Sequence, residues 1–425
     1  MKRLLHSASV KNAGWLIFGR IGQMVISLVV GILTARYLGP TNYGLINYAA
    51  AYASFFMSLC TLGINSVLVK EFVDYPDQEG KILGSSLLLQ AISSILSVGA
   101  ILCIVCIMDA GEKTTIVVTA LYSLSLLVRI FEIFNYWFQS KLQSKVTAIV
   151  LLAAYIITSA YKVVLLILHK SVEWFALATA LDYLAVGILL MICYNRHGGA
   201  RLKYSAAVAK RILKKSVHFI LPGLMVAIYA YVDKFMLKQM LSQADVGYYA
   251  TATAVCGMWA FVLQAVIDSM YPTIMESHKK NYGEYEKKNR QLYAVVFYIA
   301  IAVSILFCIL GKWVILILYG RDYLSAVLPL KVATWYTAFS YLGVARNAWI
   351  VCEDKQRYLK YIYISAAILN VLTNLALIPI WGAAGAAAAS LATQILTTLI
   401  VPFFIKDLRY NSVLMIEGIL LRKIR

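Results

Sequence analysis

Twelve apolar runs, each about as long as a helix needs to cross a bilayer, divide this chain almost end to end. In lipid, only a helix or a closed barrel satisfies every backbone N–H and C=O, and runs of about 20 apolar residues specify helices rather than strands. The runs are read at 13–37, 44–69, 82–108, 114–138, 146–168, 172–194, 217–240, 247–274, 292–318, 325–351, 358–379 and 383–405. Only 14% of the 425 residues are charged, against about 25% in soluble domains. The expected fold class is an all-α polytopic membrane protein with about twelve transmembrane helices.

The charges outside the runs fix the expected orientation. Of 39 Lys and Arg, 27 fall in alternate connections that include both termini, the 195–216 loop and the 275–291 loop. Six fall in the opposite set (Arg36, Lys113, Lys170, Lys238, Lys312 and Arg321) and six lie inside the runs. Basic connections stay in the cytoplasm, so both termini and the 195–216 loop are expected there, in a multi-pass membrane protein. The net charge of +19 is therefore topology, and no nucleic-acid partner is expected. The first apolar run is long enough to span and no small-residue cleavage site follows it, which argues against a cleaved leader. All seven cysteines lie in or at the ends of apolar runs, including the CxxC of Cys103 and Cys106. With no second ligand pair they read as packing residues, so no metal or cofactor is expected.

The longest polar connection falls at the middle of the chain, and the two halves resemble each other. Offsetting the chain by 203 residues aligns Leu38 with Leu241 and Gly44 with Gly247, each in the first turn of its half. This predicts an N-terminal six-helix bundle (1–200), a basic cytoplasmic linker (201–216) and a C-terminal six-helix bundle with a short tail (217–425). Parallel repeats of this kind build alternating-access transporters with the site near the midplane. The outer connections are short; the longest, YGRDYLS near 319–325, is too small for a catalytic domain.

Polar residues inside the runs mark candidate site faces. Arg20, Gln23, Ser27, Gly31 and Thr34 recur at steps of three or four, on one helix face. So do Asn47, Ser54, Ser58, Thr61 and Asn65, then Tyr122, Ser125, Arg129, Glu132, Tyr136 and Gln139, then Thr253, Gly257, Gln264, Asp268 and Tyr271. Lys331 and Arg346 lie on a similar face of another run. Several polar faces together predict a wet central cavity. In-span cations (Arg20, Arg129, Lys162, Lys234, Lys331, Arg346) outnumber anions (Glu132, Asp182, Asp233, Asp268), which favours an anionic substrate. Arg suits phosphate through paired hydrogen bonds. The candidate substrate-binding residues are Arg20, Gln23, Asn65, Arg129, Lys331 and Arg346; candidates for ion coupling are Glu132, Asp233 and Asp268. Arg129 and Glu132, three residues apart, can also simply neutralise each other.

The string TARYLGPTNYGLINYAAAYASFF resembles the start of the Wzx-type polysaccharide flippases, in the superfamily of the multidrug extruders and the lipid II flippase. KKSVHFILPGLMVAIYAYVDKFMLKQMLSQADVGYYATA resembles the family's second half, with Pro222, the Asp233–Lys234 pair and the Gly247–Tyr248 turn. MYPTI at 270–274 and LYGRDYLSAVLPLKV at 318–332 continue the series. The resemblance covers roughly residues 10 to 400. It implies two bundles around a cationic cavity lined by an Arg of helix 1, the position Arg20 occupies. It also implies a flippase, not an enzyme, that moves a polyprenyl-pyrophosphate-linked oligosaccharide to the outer leaflet for surface polysaccharide (O-antigen or capsule) biosynthesis. Expected partners are that lipid, the bilayer, a polysaccharide polymerase and a chain-length regulator. The alternative within the superfamily is an ion-coupled small-molecule exporter. A membrane enzyme is disfavoured, because the five histidines are scattered and there is no P-loop, GxGxxG or HExxH.

Overall fold

The computed structural model describes residues 8–423, with side chains from residue 22 onward. Its described elements are all helical. Nine helices among the described residues are long and apolar enough to cross a membrane. Two of them are pairs of spans. α1 (Ala8–Cys60) breaks at Gly39, where φ is +69°, a conformation that costs a side chain but not glycine; Pro40 then opens the second arm. α13 (Leu359–Ile395) breaks in the same way at Gly382, φ +58°. With the 26-residue α12 (Val327–Cys352), every expected span has its helix.

The chain groups into two compact units: residues up to Leu38 with Leu45–Ala227, and Gly39–Gly44 with Ile228 onward. In unit 1, α1 is followed by α2 (Leu68–Asp74), α3 (Glu79–Met108), α4 (Lys113–Val128), α5 (Ile133–Ser140), α6 (Ser144–Ile167), α7 (Val172–Arg196) and α8 (Ala206–Ser216). Two expectations are corrected here. The second span ends at Cys60, not 69, because Leu62 and Gly63 both take positive φ. Gly63 is pressed against α8: a Cβ there would stand 2.5 Å from the Ser216 carbonyl oxygen. The fourth span is not one regular helix, since Arg129–Glu132 winds as a 3-10 turn between α4 and α5.

The unit 1 core gathers at its basic end, with Ile64, Leu68, Phe72, Ile82, Leu83, Phe134, Trp137, Phe138 and Tyr194 all buried. Two buried carboxylates clamp it. Glu71, 1% exposed, takes Arg211 Nε at 3.0 Å and Lys215 Nζ at 2.5 Å. Glu79 takes Lys141 Nζ at 2.5 Å and the Trp137 indole N–H at 2.8 Å. Segment 201–216 is thus no free linker: its second half is the amphipathic α8, which buries Val208, Ala209 and Ile212 and is clamped by Glu71.

The chain passes from unit 1 to unit 2 within α9 (Ile220–Met240), and unit 2 continues through α10 (Gln243–Lys280), α11 (Tyr282–Leu318), α12 and α13. A π-helical turn follows at Leu396–Ile400, then α14 (Val401–Phe404) and α15 (Lys406–Ile419). The expected 275–291 loop is instead two long helices meeting at Asn281, whose Oδ1 accepts from the Gly283 and Glu284 amides. Glu276–Lys280, Glu284–Lys288 and Glu286–Arg290, each four residues apart, carry the helices on into water. The expected short tail is largely α15, which buries Leu408, Leu414 and Met415 and binds α11 through Glu417–Arg290 at 2.7 Å. The repeat-aligned glycines Gly44 and Gly247, both in unit 2, allow a close backbone crossing. A Cβ on Gly44 would stand 1.8 Å from the Gln243 oxygen, and one on Gly247 would stand 2.1 Å from that of Pro40.

Glu71→Gln removes the charge that holds two cations on α8. The expected loss is about 1–3 kcal/mol, read as faster amide hydrogen exchange in α8 with exchange in α15 unchanged. Burial alone would raise the Glu417 carboxyl, but hydrogen bonds from Lys423 and Arg290 outweigh it and hold it below the usual range. A depressed carboxyl stabilises above its unfolded value of about 4.3 and loses that contribution as pH falls through its native value. Spin labels on α11 and α15 should keep one distance at neutral pH and spread only in acid below that value.

Candidate functional site

In unit 1 a narrow polar cleft forms where the 3-10 turn Arg129–Glu132 faces the end of α1 and the middle of α3. Met57, Cys60, Thr61, Asn65, Gln90, Ser94, Arg129 and Glu132 line it. The tighter winding nearly eclipses residues three apart, so Arg129 Nε reaches Glu132 Oε2 at 2.8 Å. The guanidinium also stacks on Tyr183 of α7, 4.7 Å from the ring centroid. Arg129 and Glu132 stay 34% and 25% exposed, so this pair is reachable, not sealed. Opposite it, Gln90 Nε2 donates to Asn65 Oδ1 at 2.9 Å and to the Thr61 carbonyl at 3.4 Å. The structure therefore brings together three of the candidates: Asn65, Arg129 and Glu132. It adds Gln90, Ser94 and Tyr183, which the sequence reading missed. Ser86, Gln90, Ser94 and Ser97, at steps of three or four on one face of the run, were the available signal.

In unit 2 the buried carboxylate of Asp233, 2% exposed, is the centre of a second cluster. Tyr249 Oη and Ser390 Oγ each donate to its Oδ2 at 2.5 Å, and Asn374 Nδ2 donates to its Oδ1 at 2.6 Å. Asn374 Nδ2 also reaches Asn370 Oδ1 at 3.0 Å. The Asn374 side-chain oxygen Oδ1 and the Asn370 side-chain nitrogen Nδ2 are buried without a hydrogen-bond partner among the described residues. One turn from Ser390, Gln394 donates to Tyr229 Oη at 2.5 Å, and Tyr229 meets Tyr336 at 3.2 Å. Asn370 and Asn374, then Ser390 and Gln394, are four-residue pairs in apolar runs, a pattern the sequence reading passed over.

The other candidates are dispersed. Arg20 lies outside the residues whose side chains are described. Gln23 donates to the Leu151 carbonyl at 3.2 Å, packing α1 on α6. Asp268 is exposed and accepts from Gln264 on its own helix at 2.8 Å. Lys331 and Arg346 share a helix but stand fifteen residues apart, roughly 22 Å along the axis. Arg346, 5% exposed, gives Nη1 to the Thr397 and Thr398 carbonyls at 3.2 and 3.4 Å. Those carbonyls belong to the π-turn.

Residues 9–278 match the family described as polysaccharide biosynthesis protein. The capsular polysaccharide biosynthesis protein CapF of Staphylococcus aureus is 20% identical over 413 residues, covering 93% of this chain and 99% of that one. Among solved structures, an inward-facing multidrug resistance MATE transporter of the MOP superfamily superposes with a TM-score of 0.69. It is 15% identical and covers 93% of this chain and 96% of its own. The lipid II flippase MurJ in an inward closed conformation superposes at 0.63, with 15% identity and coverage of 97% and 92%. The fold is that of these transporters.

Tyr249→Phe removes one donor from Asp233 and leaves the Ser390 and Asn374 bonds in place. A loss of about 1 kcal/mol is expected, read as a lower melting temperature in detergent. Asp233→Leu should cost more, because it strands all three donors.

Proposed function

Because the chain belongs to the polysaccharide biosynthesis protein family, we propose that it is a flippase. It would carry a polyprenyl-pyrophosphate-linked oligosaccharide from the cytoplasmic to the outer leaflet of the inner membrane, with both termini cytoplasmic. The observation that carries this reading is Arg129. Among the hydrogen bonds of the described residues, only its Nε is committed, to Glu132. Its two terminal amino groups remain for a ligand, in a polar cleft reached from within a span. A guanidinium so placed suits a phosphate. Asn65 supplies a polar partner beside it. Arg20, Gln23 and Lys331 join the proposed substrate set on sequence grounds; Arg346, buried with Nη1 on the Thr397 and Thr398 carbonyls, does not. Asp233, held by two hydroxyls and a side-chain amide, is the proposed seat of a coupling proton or monovalent cation; Glu132 and Asp268 are lesser candidates. Passing the unit on at the outer leaflet implies a polymerase and a chain-length regulator as partners.

A second reading, an ion-coupled exporter of small molecules, is favoured by the likeness to the MATE transporter. Reconstituted liposomes separate the two. The expected result is transfer of a pyrophosphate-linked oligosaccharide lipid by the wild type, a loss of roughly 10- to 100-fold in Arg129→Ala, and partial recovery in Arg129→Lys. Arg20→Ala should behave like Arg129→Ala. Equal transfer by all four proteins would remove both arginines from the substrate site. A folded wild type that moves dye cations but no such lipid would establish the exporter instead.

A further inference from the structure

The basic end of unit 1 carries a feature that neither the cleft nor the family accounts for. Segment 200–205 leaves α7 and lies extended along the first turns of α3. Two glycines one turn apart make that possible: a Cβ on Gly80 would stand 2.2 Å from the Arg201 carbonyl oxygen, and one on Gly84 would stand 2.4 Å from that of Lys203. The Lys203 amide donates to the Gly80 carbonyl at 3.0 Å, and Ser85 Oγ exchanges hydrogen bonds with the Ser205 amide and carbonyl. The strap is therefore fixed in place.

Between this strap, α3 and the 3-10 turn runs an open groove of about 410 Å³, within the range of small-ligand sites. Its floor and walls are apolar: Leu87, Leu88, Ala91, Ile130, Phe131 and Leu202. Leu88 and Leu202 are exposed, and the exposed face of α3 continues outward through Ile92, Ile95 and Leu96, as a lipid-facing helix does. The mouth is cationic. Lys203 and Tyr204 line it, Arg201 precedes them, and Lys81 lies on the same face of α3 as Gly84 and Leu88. Among the described residues none of Lys81, Arg201 and Lys203 forms an ion pair, whereas Arg211 and Lys215, further along the same segment, are both held by Glu71.

We propose that this groove binds one anionic diacyl phospholipid, an acyl chain lying on Leu88, Ala91 and Phe131 and the phosphate meeting Lys81, Arg201 and Lys203. The basic face is the one the charge distribution assigns to the cytoplasm, where anionic headgroups attract clustered Lys and Arg. A single phosphate and one chain fit a mouth of three cations above a short apolar groove. The site also touches the cleft: Ile130 lines both. The 3-10 turn thus presents Ile130 and Phe131 to the lipid, and Arg129 and Glu132 to the cleft. A seated chain bears on the turn that sets the ion pair.

Native mass spectrometry of the full chain in mild detergent, titrated with phosphatidylglycerol or phosphatidylcholine of matched chains, tests this. One phosphatidylglycerol should be retained in preference to phosphatidylcholine. Lys81→Ala and Lys203→Ala should each weaken it roughly fivefold, and Ala91→Phe, which fills the groove, should lower retention of both lipids. Leu88→Asn, at an exposed position, makes the same test should Ala91→Phe fail to fold. Equal binding of the two lipids, unchanged in every variant, would overturn the proposal. Lysine effects without a groove effect would reduce the site to a surface charge patch and also overturn it. Displacement of phosphatidylglycerol by undecaprenyl phosphate at the same stoichiometry would overturn the assigned occupant in favour of a substrate tail.

Discussion

A charged group inside a bilayer must find partners to replace its water, and Asp233 is where unit 2 meets that demand most completely. Its carboxylate, on α9, is held by Tyr249 of α10 and by Asn374 and Ser390 on the two arms of α13. One buried charge therefore ties four helical segments together. An acceptor with three donors costs far less to bury than a bare ion, and each segment must keep its register for the donors to converge. The Gly382 break between Asn374 and Ser390 belongs to the same arrangement, because it turns the second arm so that both reach one carboxylate.

Unit 1 uses carboxylates differently. Glu71 and Glu79 are buried near the basic end and face cations whose own side chains remain partly in solvent. These pairs fasten α8 and the turn after α5 to the helical core, so what reads as a basic linker becomes part of a unit. Deeper in, Arg129 and Glu132 neutralise each other without being sealed. The difference in carboxylate exposure separates the fastening pairs from this one.

Much of this was legible in the sequence. Run length gave every span, because the backbone in lipid has so few alternatives, and the i,i+3 spacing gave the Arg129–Glu132 pair. The misses share a cause. Hydrophobicity does not distinguish a helix from its continuation into water, so the 275–291 segment read as a loop although its Glu–Lys spacing is that of a charged helix. It is equally blind to a tight local change of winding: Leu62–Gly63 cut Asn65 from its expected stripe, and nothing in RIFE marks a 3-10 turn. The Asp233 partners were missed because Asn370 and Asn374, then Ser390 and Gln394, form short pairs on two different runs, and only the fold brings Asn374 and Ser390 to one carboxylate.

Arg346 shows why an in-span cation is not by itself a ligand site. It has no carboxylate partner among the described ion pairs, yet it is almost wholly buried. A π-turn shifts the backbone ladder by one residue, and such turns free carbonyls from regular pairing. Here the carbonyls of Thr397 and Thr398 take the Arg346 amino group. Arg346 is held through Nη1 by these carbonyls while its Nε is buried without a hydrogen-bond partner among the described residues, and moving it would require rewinding the end of α13. Arg129 has the opposite setting: a reachable pair, an aromatic face behind it, and amino groups without assigned partners. Two arginines that look alike in sequence are thus separated by what surrounds their nitrogens: one is sealed against a backbone turn, the other keeps about a third of its side chain exposed beside a carboxylate.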